Sequence, residues 1–403
     1  MGRPHLRRFD VSKVGLGVLA EAFPLEKIEA VLNATGRQSK RKRQLPAATM
    51  VHYVIALGLF VSLGCREVLR RLLEGAKWIW PYEIRISTES AITQARQRLG
   101  WEPIEQLYRQ VVQPLAKKIT RAAWYRQWRV VTLDGTMFDV SDSDENGQEF
   151  GRPGSSRGGG SSYPQVRVVG LVENGTHVLF GAEVSGCRTG EPTLARKILR
   201  CLRRNMLCLA DRNFFSYELW QQAQKTGAAL VWRLRRQINV VRTKHLADGS
   251  YLGKIFLTKR HAKRDEGGVT VRLIEYRIDG YRETYRILTT ILDPSRAPAL
   301  ELAYLYSHRW TIETAFDEIK THLRDGRIVL RSKLPDLVRQ DVFGLLLAHF
   351  GVRFVMHEAA LLEDIETEEL SFVHTLRVVH RKLPWLVAFP PSTPFTHAAI
   401  HSH

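Results

Sequence analysis

The period of the hydrophobic pattern changes near Trp128, and this change limits the possible folds more than any other feature of the chain. Upstream, apolar side chains recur at helical spacing through residues 1 to about 125. Downstream, WRVVTLDGTMFDV and YPQVRVVGLVENGTHVLFGAEV alternate as strands do, and Asn174-Gly175 predicts a type I′ turn in a hairpin. A helical region is therefore followed by an α/β region.

The first strands are followed by helices and strands in alternation. Residues 192–205 have an amphipathic helical pattern, MLCLADRNF is a buried strand that ends at Asp211, SYELWQQAQKTG is a helix and AALVWRLR is another strand. Three strands followed by helix, strand, helix and strand is the element order of the ribonuclease H-like fold. We predict a multidomain α/β chain, with a ribonuclease H-like core (a mixed sheet with flanking helices) that is interrupted by a β-rich insertion and preceded by a helical domain.

Composition shifts and turn signals divide the chain into five predicted segments. These are a helical domain at 1–125, for which the evidence of DNA binding is given below, the first part of the core at 126–236, the β-rich insertion at 237–292, the second part of the core with the Glu313 helix at 293–360, and a C-terminal helical tail at 361–403. The insertion begins with a run of basic residues. A basic β ribbon can follow a phosphate backbone, or it is a solvated edge that blocks strand pairing.

The charge balance points to a polyanionic partner. The chain has 60 Lys and Arg against 41 Asp and Glu, a net charge of +19, and nucleic acid is the commonest polyanion. A capped helix predicted from Ser90 suits the major groove of DNA, although a solvated surface helix has the same pattern. Six cations of the N-terminal region are predicted DNA contacts: Lys40, Arg41, Lys42, Arg43, Arg96 and Arg98.

Two apolar stretches bear on a membrane location. Residues 51–64 are too few for a span, which requires about 20 mostly apolar residues, and residues 343–356 carry His349 and Arg353. We predict that both are buried core helices. No apolar segment follows the N-terminal charges, so a secretory signal is not expected. These observations favour a cytoplasmic protein without a membrane partner.

Three acids lie where a metal site would need them. Asp134 follows the apolar run VVTL, Asp211 follows LCLA, and Glu313 lies in YSHRWTIETAFDEIK. A two-metal site draws acids from distant parts of the chain, and buried carboxylates are costly without a cation to hold. Each acid alone fits a turn or a cap, but together they predict catalytic metal ligands. Asp317, one helical turn after Glu313, is the alternative to it.

Cationic and phenolic side chains accompany Glu313. Tyr306, Arg309, Glu313 and Lys320 have a spacing that places them on one face of a continuous α-helix. A carboxylate for a metal, beside groups that hold phosphate, is what DNA strand cleavage requires.

With these residues the chain resembles the bacterial DDE transposases of the insertion sequence four family. The four residues just named match the family signature Tyr-(2)-Arg-(3)-Glu-(6)-Lys, and LDGT and ADRNFFS are similar to its first two acidic motifs. LRSKLPDLVRQDVFGLLLAHFGVR and the N-terminal region are similar too, so that the resemblance covers nearly the whole chain.

The resemblance implies a DNA transposase. Such an enzyme binds the terminal inverted repeats of its own insertion sequence, cleaves the strands by metal-dependent hydrolysis and joins the 3′-hydroxyl ends to target DNA. The three acids would bind two Mg²⁺ ions, with Mn²⁺ as a substitute, while Tyr306, Arg309 and Lys320 grip phosphate. The partners would be double-stranded DNA and a second copy of the chain in a paired-end complex, associated with the nucleoid of a bacterial cytoplasm.

Two rival functions share parts of this pattern. A metal-dependent DNA nuclease without strand transfer would need the same acids, and a DNA-binding regulator would need only the N-terminal helices. Relatives that form DNA hairpins place a tryptophan in the insertion, whereas residues 237–292 contain none. Tyr276, Tyr281 and Tyr285 are the aromatics there, with Trp232 just outside.

Overall fold

The computed structural model describes residues 21–40, 44–75, 87–153, 163–278, 280, 283–323 and 329–382. The described residues before the sheet form five helices: α1 (Leu25–Ala34), α2 (Ala47–Leu59), α3 (Cys65–Gly75), α4 (Glu89–Leu99) and α5 (Glu102–Val111). Helix α4 begins at the predicted cap, where the Thr88 hydroxyl accepts the amide of Ala91. It ends at Gly100, whose φ of 72° is favourable for glycine.

A mixed sheet follows these helices. Its first six strands are β1 (Trp124–Tyr125), β2 (Trp128–Val140), β3 (Gln165–Glu173), β4 (Leu179–Gly186), β5 (Met206–Ala210) and β6 (Ala229–Arg233). Strands β4, β3 and β2 pair antiparallel in that order, and β5 and β6 continue from β2 as parallel strands. Three helices lie between strands: α6 (Asp144–Phe150), α7 (Glu191–Ile198) and α8 (Tyr217–Lys225). The predicted mixed sheet with flanking helices is confirmed.

The strands within residues 237–292 extend the same sheet. They are β7 (Val241–His245), β8 (Tyr251–Ile255), β9 (Val269–Arg277) and β10 (Thr284–Thr289), with the short helix α9 (Lys259–Arg264) between β8 and β9. All pair antiparallel, and β10 pairs with β6. Strand β7 is the edge, and all five of its residues are exposed. Backbone hydrogen bonds therefore tie these strands to the core sheet.

The hairpin of β3 and β4 forms, but its predicted turn type is wrong. Type I′ requires positive φ at Asn174 and Gly175, whereas φ is positive at Gly175 (82°) and His177 (58°). The amide of Glu173 donates to the carbonyl of Val178, and the amide of His177 donates to that of Glu173. The turn is therefore a wider loop, closed by an additional backbone hydrogen bond.

The last part of the chain is mostly helical. Its elements are α10 (Ala299–Ser307), α11 (Thr311–Asp317), β11 (Val329–Leu330), α12 (Pro335–Leu362) and α13 (Phe372–Lys382). Helix α12 crosses α2 so closely that a Cβ on Gly58 would lie 2.5 Å from the carbonyl oxygen of Gly344. Only glycine permits such an approach of two backbones. The N-terminal helices consequently share one hydrophobic core with α12 and one face of the sheet.

Helix α12 is long and apolar enough to cross a membrane by those two criteria. However, 78% of its most apolar window is buried inside the protein. Nearly every residue of α2 is buried as well. Both apolar stretches are core helices, as predicted.

Candidate active site

Asp134 and Asp211 lie side by side on neighbouring strands. Strands β2 and β5 are parallel, and Leu133 pairs with Ala210. The residue that follows each of these two in the sequence is an aspartate. Carboxyl ends of parallel strands meet at one edge of a sheet, where α/β folds bind their ligands. The side chains of Asp134 and Asp211 are 23% and 21% exposed, which leaves both reachable from solvent.

The segment that carries Glu313 is not one continuous α-helix. After α10, the described backbone forms a 3₁₀ turn at His308–Trp310, helix α11, and a π-helical turn at Glu318–Leu323. The prediction that Tyr306, Arg309, Glu313 and Lys320 share one α-helical face is therefore wrong. Each change of helix type rotates the side chains that follow it, because the number of residues per turn changes.

Arg309 joins two of the three predicted acids. Its Nη1 lies 3.1 Å from Asp134 Oδ2, and its Nη2 lies 3.2 Å from Glu313 Oε1. Burial lowers the pKa of the Arg309 guanidinium, but the negative charges of Asp134, Asp211 and Glu313, together with Tyr306, outweigh burial and raise it. Arg309 thus contacts two of the acids and is influenced by the charge of the third, although the three come from distant parts of the chain.

The charge on Asp134 is incompletely compensated. Burial raises the pKa of its carboxyl from 3.8 to about 6, and the charges of Glu191 and Asp211 add to this effect. The Gly135 amide, which donates to Oδ1 at 2.8 Å, and Arg309 oppose the rise without cancelling it. A further cation beside Asp134 is therefore electrostatically favourable.

The three carboxylates are chemically the kind of ligand that a hard divalent cation prefers, but the described structure does not assemble them around one position. Mg²⁺ prefers carboxylate oxygens, and Asp134, Asp211 and Glu313 present them at one edge of the sheet. Within the ranges that the structure describes, no three acidic, histidine or cysteine side chains stand close enough together to hold an ion in this arrangement. Arg309 lies between Asp134 and Glu313, so that the guanidinium and an ion would use the same oxygens.

Tyr306 is placed differently from its prediction. It is only 5% exposed, and its hydroxyl donates to the carbonyl of Ala210 at 3.3 Å. A direct grip on phosphate does not match this position. Because Ala210 immediately precedes Asp211, Tyr306 supports the strand end that carries the second acid.

Lys320 and Asp317 complete the signature region. The ammonium of Lys320 lies 5.5 Å from the centre of the Phe138 ring, on the strand that bears Asp134. Asp317 accepts the Thr321 hydroxyl and lies 3.8 Å from His322 Nε2. Glu313, and not Asp317, contacts Arg309, which favours Glu313 as the third acid.

Arg96 does not read DNA in this structure, and its prediction is wrong. It is 4% exposed, its Nε donates to Gln340 Oε1 at 3.0 Å, and its Nη2 lies 2.7 Å from Asp341 Oδ1. The guanidinium holds α4 against α12. The side chains of Lys40 and Arg98 are exposed, in agreement with a surface role. The predictions for Arg41, Lys42 and Arg43 lie outside the described residues.

Two charged residues near the acids were missed. Glu191 begins α7, where its Oε1 lies 2.9 Å from Arg167 Nη1 and its charge acts on Asp134. Arg233 ends β6, 4.0 Å from Asp211 Oδ1. The position of Arg233 follows from the predicted order of the parallel strands, whereas a glutamate after Gly190 has no distinguishing local pattern.

The aromatic side chains in and beside the insertion, which are candidates for stacking on a DNA base, occupy different environments. Trp232 is fully buried and has no surface for a DNA base. Tyr276 and Tyr285 stack on each other with ring centres 5.5 Å apart, and the Arg233 guanidinium lies 4.5 Å from the centre of the Tyr285 ring. Tyr281 lies outside the described residues.

Comparison with known proteins agrees with this geometry. Residues 13–109 match the family described as insertion element 4 transposase N-terminal, and residues 126–350 match the transposase DDE domain. The transposase InsG for insertion sequence element IS4 of Escherichia coli (strain K12) is 30% identical over 390 residues, which is 95% of this chain and 86% of the relative. The putative transposase InsZ of the same strain is 29% identical over 224 residues, 55% of this chain and 72% of the relative.

The mixed sheet with its acidic edge and the match to the DDE domain define a ribonuclease H-like DDE enzyme, a class that generally uses divalent metal ions. More particularly, the chain belongs to the transposases of the insertion sequence IS4 family.

Proposed function

We propose that this transposase binds the terminal inverted repeats of its own insertion sequence, cleaves the strands by metal-dependent phosphodiester hydrolysis and joins the 3′-hydroxyl ends to target DNA. One observation carries the proposal. Asp134 and Asp211 follow paired residues on neighbouring parallel strands, at the edge of the sheet where such folds bind ligands, and Arg309 bridges Asp134 to Glu313.

The three carboxylates would hold two Mg²⁺ ions, with Mn²⁺ as a substitute. Bound metal supplies a Lewis acid that activates a water or 3′-hydroxyl and stabilises the departing oxygen. Tyr306 keeps the end of β5 in place through the Ala210 carbonyl. Arg309 orients Asp134 and Glu313, and its charge suits a neighbouring phosphate.

The DNA contacts follow from charge and exposure. The net charge of +19 attracts the duplex, Lys320 lies beside the strand of Asp134, and Lys40, Arg98 and the exposed strand β7 present further basic surface. The basic run 41–43 is proposed to add to it. We assign the N-terminal helices and the β-rich insertion to DNA binding, within the five-segment division given above.

The proposed assembly is a homodimer on two paired ends, in a bacterial cytoplasm and associated with the nucleoid. A monomer that holds one end at a time throughout the reaction would contradict the dimer. Sedimentation of the protein on a single end and on paired ends measures this directly.

The test uses duplex DNA from the boundaries of the element that encodes the chain. Incubation with Mg²⁺ should release cut ends and join them to a supercoiled target. Asp134→Asn, Asp211→Asn and Glu313→Gln should each abolish cutting and leave end binding intact, because they remove metal ligands and not the DNA contacts. Cut ends that never join would support the nuclease alternative, and cutting by all three variants would refute the assignment of the site.

A further inference from the structure

The turn between β3 and β4 is buried, although hairpin turns usually lie on the surface. Glu173 and Thr176 are fully buried, Asn174 is 3% exposed and His177 is 8% exposed. A Cβ on Gly175 would lie 2.7 Å from the backbone nitrogen of Ala123, so that only glycine fits there. The proposed function does not explain why this turn is buried.

One side of the turn is hydrogen-bonded to strand β2 and to the segment that precedes the sheet. The carboxylate of Glu173 accepts the amides of Leu115 and Ala116 at 2.8 and 3.0 Å, and it also pairs with Arg129. The Thr132 hydroxyl donates to Asn174 Oδ1 at 2.9 Å. A buried carboxylate that is fully hydrogen-bonded makes a rigid anchor.

The other side of the turn is linked to both ends of the segment that carries Arg309 and Glu313, directly at one end and through Arg353 at the other. At one end, Asn174 Nδ2 donates to the carbonyl of His308 at 3.4 Å. At the other end the link to Glu318 is indirect, because His177 Nδ1, which lies 3.6 Å from Glu318 Oε1, binds Arg353 instead, and Arg353 binds Glu318. Arg353 Nη2 lies 2.6 Å from the same His177 nitrogen, and since arginine only donates, this nitrogen accepts.

Glu318 is the centre of a buried ion cluster, which we define as Glu318, Arg353, His349 and His177. Its Oε2 lies 2.9 Å from Arg353 Nε and 2.9 Å from His349 Nε2, and its Oε1 bonds Arg353 Nη2. Burial opposes the charge of Glu318, but the charge of Arg353, with the hydrogen bond to His349, outweighs burial and holds the pKa of Glu318 well below the ordinary value.

A cluster of this kind is a poor device for stability alone. Apolar side chains of similar size often stabilise a core as well or better than a buried ion pair. Its directional bonds do, however, restrain the π-helical turn that begins at Glu318, immediately after α11. Supporting contacts of this type orient the groups that bind metal.

We propose that the buried turn and the ion cluster together position α11, so that Glu313 faces Asp134 and Asp211; this inference rests on the proposed function. Glu318, Arg353 and His177 are positioning residues, since they touch no reacting group. Loss of contacts that support metal ligands typically weakens metal affinity by about 10- to 100-fold.

The main test is the double variant Glu318→Gln with Arg353→Met, which removes both charges and leaves no unpaired ion. Its matched control is Arg96→Met with Asp341→Asn, a buried ion pair that joins α4 to α12. Each protein is bound to saturating uncut end DNA, and Mn²⁺ binding is measured by electron paramagnetic resonance. The first pair should weaken Mn²⁺ binding by about 10- to 100-fold, while the control keeps the affinity of the wild type.

Single variants decide the question if the double variant does not fold. His177→Gln keeps an acceptor for Arg353, whereas His177→Leu does not. The leucine variant should lose Mn²⁺ affinity and raise the Mg²⁺ concentration for half-maximal cutting, and the glutamine variant should restore both. Wild-type affinity in both variants would overturn the inference.

The same series separates this inference from the proposed function. The proposed function would be refuted if the wild-type protein does not cut its ends and if Glu313→Gln binds Mn²⁺ as well as the wild type does. If Glu313→Gln loses Mn²⁺ affinity as expected but every positioning variant keeps the affinity of the wild type, the positioning role alone is refuted.

Discussion

Removal of the charge from Asp134 should stabilise the protein while it abolishes catalysis. The pKa of this carboxyl rises from 3.8 to about 6 on folding, mainly through burial. At about 1.36 kcal/mol per pH unit, the ionised group lowers the free energy of unfolding by roughly 3 kcal/mol at neutral pH. Because the asparagine side chain resembles the neutral acid in shape, Asp134→Asn should recover much of this energy.

The sign of the pH dependence follows from the direction of the shift. Below pH 3.8 the carboxyl is protonated in both states, and the substitution changes little. Between pH 3.8 and about 6 the folded state binds more protons than the unfolded one, so the stability contributed by this group falls as pH rises. Above pH 6 the full difference of about 3 kcal/mol is present, which for 403 residues is about 3 °C in Tm.

The assay is thermal unfolding of wild type and Asp134→Asn at pH 4 and pH 7 without metal, followed by the same scans with Mg²⁺. Mg²⁺ at ten times its Kd should stabilise the wild type by about 1.4 kcal/mol and leave the variant unchanged. Asp139→Asn, on the same strand and bonded to Gln165, is the control for loss of a strand carboxylate. A variant less stable than wild type at pH 7, or a gap that is equal at both pH values, would refute the reasoning.

Three further outcomes are expected. Glu313→Gln should eliminate cutting with end binding unchanged, measured by gel assays; normal cutting would transfer the role to Asp317. Lys320→Ala should weaken end binding and reduce its salt dependence by about one counterion, and an unchanged slope in a salt titration would count against a phosphate contact. Arg96→Ala should destabilise the fold by about 3–5 kcal/mol, because buried Asp341 loses its partner, and a denaturation midpoint equal to wild type would contradict this.

The sequence predicts that Asp134 and Asp211 each follow a buried stretch of strand, as they do, but it does not predict the surroundings of several cations. Asp134 and Asp211 were predictable because apolar runs and strand ends are local patterns. Arg96 was not, since the partners that bury it are more than 200 residues away and a basic residue on a polar helix has the same local pattern in either case. The 3₁₀ and π turns around Glu313 also have no periodic signal of their own.

The continuity of the sheet links the β-rich insertion to the catalytic edge. Strand β6 is parallel to β5, which ends beside Asp211, and antiparallel to β10 of the insertion. Arg233 at the end of β6 therefore lies between Asp211 and the stacked pair of Tyr276 and Tyr285. Because a slip of β10 against β6 would break the ladder and turn every side chain to the opposite face, the insertion keeps its register with the core. If the insertion binds DNA as proposed, the bound strand is consequently held in a fixed relation to Asp211.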